Sequence, residues 1–151
     1  MGIHADEAKG VAMSFLDGNR VDNKHYWITP PDLMKSLDKE FKFDFDPCPH
    51  PLPDGFNGLT INWGKSNYVN PPFGSFVMNG KKMGPTAWAR KAIEEQEKGN
   101  KSVLLYPVDK WILMLIKRSK EIRNLGDIKW HSIEDNLPGK GIGRHIGCFI
   151  L

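Results

Sequence analysis

The chain has 151 residues, 40% of them hydrophobic, 11% aromatic and 26% charged, and it carries a net charge of +3. That is the size and composition of one ordinary soluble domain, whose core stands without disulfides or a structural metal. No stretch approaches the length of a membrane span, and Met1 to Glu7 lacks the basic-then-apolar layout of a secretory signal, so a cytoplasmic protein with no membrane partner is expected.

The cysteines, Cys48 and Cys148, lie far apart and neither belongs to a CxxC pair, so both are expected as reduced thiols. His50 lies two residues from Cys48, but no second Cys/His pair with ligand spacing completes a tetrahedral set, and no metal site is expected. The modest positive charge does not by itself argue for nucleic acid.

In chain order, residues 1 to 24 carry no clear periodicity. Ala5 to Leu16 has the makings of a short helix, but Gly10 and Asp17-Gly18-Asn19 argue for a loosely ordered extension, which leaves residues 25 to 151 as the domain. A helix is expected from Thr29 as N-cap, with Pro30 at the first helical position and Asp32 in the first turn; Leu33, Leu37 and Phe41 then form one apolar stripe. Phe41, Phe43 and Phe45 alternate with Lys42, Asp44 and Asp46, a strand pattern ending at Asp46-Pro47. It would place a carboxylate at the carboxyl end of a strand, where open α/β sheets bind ligands.

Prolines and glycines keep residues 47 to 63 in a loop. Asn67 to Asn70 reads as a short buried strand, and Phe76 to Pro85 as a polar, glycine-containing loop. Thr86 to Lys98 reads as a helix stopped by Gly99. Ser102 to Val108 is an apolar strand, and Asp109 caps a helix through Trp111, Leu115 and Arg118. Strand candidates close the chain at Ile122 to Leu125, Ile128 to Ile133 and His145 to Ile150. Strands alternating with helices predict an α/β class: a mainly parallel sheet with an antiparallel C-terminal edge.

The most informative string is Asn70-Pro71-Pro72-Phe73, directly after Tyr68-Val69. Two prolines remove two N–H donors and fix two φ angles, while their carbonyls and the Asn70 side-chain oxygen stay available as acceptors. Such a turn can accept both N–H groups of the exocyclic amine of adenine, with Phe73 stacking on the ring. The same string also serves as a tight turn after a strand. Lys81-Lys82, just beyond it, are candidate phosphate contacts or simply solvated charges.

Taken in order, several segments resemble the phage-type DNA adenine-N6 methyltransferase family. They are Trp27-Ile28-Thr29-Pro30, Phe43-Asp44-Phe45-Asp46-Pro47-Cys48, Asn57-Gly58-Leu59 with Trp63, and Tyr68-Val69-Asn70-Pro71-Pro72-Phe73. Trp88-Ala89-Arg90-Lys91-Ala92, Val103-Leu104-Leu105-Tyr106-Pro107 and Gly143-Arg144 with Phe149 follow. The resemblance covers roughly residues 25 to 151. It implies a reduced Rossmann-like domain, S-adenosylmethionine as cofactor and DNA as partner, in a host cytoplasm if the chain is phage-encoded. By the same resemblance Asn70, Pro71, Pro72 and Phe73 form the catalytic turn. Trp27, Thr29, Pro30, Asp46 and Cys48 lie toward the cofactor, with Asp54 nominated for its ribose, and Lys81, Lys82 and Arg144 toward nucleic acid. Tyr106-Pro107 is placed to shape the target pocket. Pro47-Cys48-Pro49-His50-Pro51 stands where methyltransferases more broadly have a Gly-x-Gly turn. That departure leaves room for a nucleic-acid-binding module without turnover, and the same acceptor turn also suits a cytosine N4 amine or a glutamine amide.

Overall fold

The computed structural model describes residues 13–15, 27–50, 52–108 and 112–151. The strands are β1 (Met13–Phe15), β2 (Trp27–Ile28), β3 (Ser66–Val69), β4 (Phe76–Met78), β5 (Lys81–Met83), β6 (Lys101–Pro107), β7 (Glu121–Asn124), β8 (His131–Ser132) and β9 (Ile146–Ile150). The helices are α1 (Pro31–Phe41), α2 (Thr86–Glu97) and α3 (Ile112–Arg118).

The main sheet has the order β3-β6-β9-β7. β3 and β6 are parallel, with Val69 opposite Leu104, and β9 runs antiparallel to both β6 and β7. The chain at Phe45 adds a parallel bridge to Asn67 on the outer side of β3, tied by Asp44 N–H to Ser66 C=O at 2.9 Å and Tyr68 N–H to Phe45 C=O at 2.9 Å. The class is therefore mixed α/β, as expected. The antiparallel strand, however, is not the edge: β9 lies between β6 and β7, and β7 takes the edge.

Alternation along the strands divides the core between the two faces of the sheet. On one face Tyr68, Val103, Leu105, Ile146, Cys148 and Ile150 pack under Leu37, Leu33 and Met34 of α1. On the other, Val69, Leu104, Tyr106 and Phe149 pack under Trp88, Ala89 and Ala92 of α2 and Leu115 of α3. Every residue of β9 is buried, as an interior strand covered on both sides requires.

Several local expectations are corrected. α1 begins at Pro31, with Pro30 as its N-cap residue and no side-chain cap; Thr29 is instead turned to the hydroxyl of Tyr68. The expected strand through Phe41, Phe43 and Phe45 shrinks to the one bridge at Phe45. α1 runs on to Phe41, and Lys42 closes it in the left-handed conformation at φ 51°. A strand would put Phe43 and Phe45 on one face, whereas they join opposite core clusters.

The expected loop over 76–85 is largely a β-hairpin, β4 with β5. Asn79 and Gly80, at φ 53° and 70°, supply the two positive φ angles of a type I′ turn. β1 pairs with β4, Met13 opposite Met78. The rest of residues 1–24, and Asp109 and Trp111 of the expected third helix start, lie outside the described residues.

Candidate active site

The parallel register sets the site. Phe45 lies opposite Asn67, so Asp46 stands level with Tyr68, and Asn70 emerges two residues further on, about 7 Å along the strand direction. Both are at the carboxyl ends of parallel chains, in a sheet with helices on each face. By the alternation of β3, Asn70 continues the face of Tyr68. It is only 7% exposed, Pro71 is buried, and Pro72 and Phe73 are half-buried.

Asp46 is half-buried. Among the described residues its hydrogen bond comes from the N–H of Cys48 at 2.8 Å. Burial raises its pKa from 3.8 to about 7, the Cys48 bond opposing the shift. Cys48 is a buried free thiol, pushed well up by burial and then by the charge of Asp46. It packs among Phe45, Phe56 and Trp63 as core, so its place in the site is as neighbour and backbone donor to Asp46.

Thr29 is buried against Tyr68, hydroxyl to hydroxyl, and Pro30 follows it half-buried at the head of α1. The backbone of Trp27 pairs with Ser132 in the small β2-β8 sheet. Asp54 stands exposed in the turn closed by Phe56 N–H to Pro53 C=O at 3.0 Å. Gly58, the second glycine after Asp46, is used internally, while the first, Gly55, stands exposed at φ 73°. A Cβ on Gly58 would lie 2.1 Å from the Pro47 carbonyl oxygen, and the Gly58 carbonyl accepts the Trp63 indole N–H at 2.7 Å.

Three further groups adjoin the turn without having been singled out for it. Tyr68 holds Thr29, and its spacing of two from Asn70 on one strand was the available signal. His50, weighed above only as a metal ligand, hydrogen-bonds the backbone of Asn70; burial lowers its pKa and this bond opposes the change. Trp130 meets Phe73 edge-on, with centroids 5.7 Å apart and planes at 67°.

Tyr106 does not line this side. Its hydroxyl donates to the Pro85 carbonyl at the start of α2, within the opposite core. Lys81 and Lys82 are exposed on β5, in a hairpin that begins three residues after Phe73 and is anchored by fully buried Phe76. Arg144 is exposed just before β9. Because β9 is antiparallel, with Ile146 opposite Pro107, Arg144 lies at the same end of the sheet as Asn70. The loop before it is pinned by the Asp127 carboxylate, which accepts N–H bonds from Ile142 at 3.1 Å and Gly143 at 3.2 Å.

Among the described residues no helix is long and apolar enough to cross a membrane. Comparison of the chain with protein-family models, with curated proteins and with solved structures found no match in any of the three.

Proposed function

We propose that the chain is an S-adenosylmethionine-dependent methyltransferase acting on the exocyclic N6 of adenine in DNA, built on a reduced Rossmann-like domain. One observation carries the reading: an Asn-Pro-Pro-Phe turn leaves the carboxyl end of β3 with its asparagine buried, beside a half-buried carboxyl at the end of the neighbouring parallel segment.

The residues fit such a cofactor at the group that matters electrostatically. A carboxyl drawn into the protein, with a backbone N–H as its partner among the described residues, suits a cationic or N–H-bearing ligand, which would favour its ionised form. Thr29 and Pro30 stand across from Asp46 through Tyr68 and border the same end. When bound, S-adenosylmethionine supplies a sulfonium methyl, already a strong electrophile, so positioning does most of the catalysis.

Asn70 does not act as a base at neutral pH. Its side-chain oxygen and the Pro71 carbonyl accept the two amine hydrogens and orient the nitrogen toward the methyl, favouring positive charge as it develops there. Phe73 offers a stacking surface for the base, and the proton leaves to water after transfer. A base inside a duplex cannot reach a buried asparagine, so the target is flipped out or single-stranded. Lys81, Lys82 and Arg144 contact the phosphates.

A second reading, a nucleic-acid-binding module without turnover, is favoured by the segment after Asp46, where residues 47–51 hold no glycine and Gly58 packs against Pro47. Nucleoside mass spectrometry on methyl-free DNA, incubated with the protein and S-adenosylmethionine, separates the two. N6-methyladenine is expected from the wild type, with a loss of about a hundredfold or more in Asn70→Ala at an unchanged melting temperature. N4-methylcytosine would move the target and keep the mechanism. DNA binding with no methylation would leave the second reading.

A further inference from the structure

Phe73 is half-buried, partly exposed and packed against the core cluster under α1. Its ring partner is Trp130, at 5.7 Å and 67°, an edge-on contact that fixes ring tilt as well as position. Trp130 is itself only 7% exposed and belongs to the core cluster of Leu37, Tyr68, Ile128 and Ile146. Its backbone is fixed too: the Trp130 carbonyl accepts the Gly139 N–H at 2.7 Å, and the next residue, His131, pairs with Ile28 immediately ahead of Thr29.

The Trp130 indole Nε1–H is buried and finds no acceptor among the described residues, as is also true of Trp88 in the opposite core. A phenylalanine would keep an aromatic ring here without an orphaned donor, at the cost of the volume the indole fills.

We infer that Trp130 is the positioning residue for the target base, acting through Phe73; the inference rests on the methyltransferase reading above. By setting the tilt of Phe73 it sets the plane on which a flipped adenine stacks. By its place between Phe73 and the strand that leads into Thr29, it joins the target side of the site to the cofactor side.

The test is steady-state methylation by the full chain, with thermal unfolding measured in parallel. The variants are Trp130→Leu, Trp130→Phe, Phe73→Leu and the double variant Trp130→Leu with Phe73→Leu. Trp130→Leu is expected to raise KM for DNA about fivefold with little change in kcat, the size of an aromatic pair contribution. Trp130→Phe, which keeps an aromatic ring against Phe73, is expected to restore KM to near the wild-type value. In the Phe73→Leu background, Trp130→Leu is expected to add nothing to KM. Trp130→Met is carried alongside, so that the cycle stands if leucine unfolds the chain. An unchanged KM in folded Trp130→Leu or Trp130→Met, or a KM effect that persists without Phe73, overturns the inference while leaving the methyltransferase reading intact. A wild type that methylates no DNA overturns both.

Discussion

Two carboxyl groups are drawn into this protein at opposite ends of its parallel strands, and they are treated in opposite ways. Glu95 on α2 lies toward the amino ends of β3 and β6 and is 0% exposed. It is ringed by Lys91 at 3.1 Å, Lys98 at 3.3 Å, the Asn100 amide at 2.8 Å and the Trp63 N–H at 3.3 Å. Burial pushes its pKa up, but the bonds from Asn100, Lys91 and Trp63 outweigh that, and it stays below the ordinary value. Asp46, at the carboxyl ends, has the N–H of Cys48 among the described residues and is pushed up to about 7. The fold surrounds one buried carboxyl with donors and leaves the other with a single backbone donor among the described residues.

The contrast can be broken most forcefully at Glu95. Glu95→Ala leaves Lys91, whose side chain is 10% exposed, without its buried partner and frees Trp63 and Asn100. A loss of about 3–5 kcal/mol is expected in urea unfolding. A loss within surface-mutation range would mean that the cluster is no anchor.

Asp46 should behave in the opposite sense. Its folded pKa lies above its ordinary 3.8, so the folded state holds the proton more tightly. Its stability contribution is complete below the ordinary value and is lost as pH rises through about 7. Asp46→Asn, which stays neutral, should therefore match wild type near the acid end and exceed it by about 2 kcal/mol at alkaline pH, a figure reduced for partial exposure. Unfolding of both proteins across this pH range checks it, and parallel curves would remove Asp46 from the comparison.

The smallest effect on stability belongs to Lys81 and Lys82, both exposed on β5. Changing both to Gln should leave stability within about 0.5 kcal/mol. It should also lower the slope of log binding constant against log salt for DNA by about 2. Fluorescence anisotropy titrations at several salt concentrations measure the slope, and an unchanged slope would count against these lysines as phosphate contacts.

Much of the scaffold was legible in the sequence because single signals there are unopposed. Gly99 ends α2 at φ 89°, and the apolar runs at 102–108 and 145–150 became β6 and β9 within a residue or so. The Phe41-Phe43-Phe45 alternation misled because a helix end, a left-handed Lys42 and a single bridge produce the same period as a strand. The hairpin at 76–83 was announced by Asn79-Gly80 and was obscured by the polar residues around it. At the candidate site, Asn70 and Asp46 stood out as strand-end residues. Tyr68, His50 and Trp130 did not, because their roles arise from contacts across 39, 20 and 57 residues of chain, from Tyr68 to Thr29, from His50 to Asn70 and from Trp130 to Phe73. Asp54 was chosen as the only acid between Asp46 and Asn70, and it stands exposed in its turn.

The position of β9 has a consequence for how the chain must assemble. β7 is made before β9 in sequence, yet β9 is its neighbour in the sheet, and β6 meets β9 across a gap that pairs Val103 with Ile150. Neither β7 nor the inner side of β6 has a strand to bond until the last segment arrives between them. Half of the sheet is thus closed by one long-range event rather than built in order, the kind of topology that slows folding by requiring loop closure before any contact rewards it. The end of the sheet that carries Arg144 comes into register in that same event.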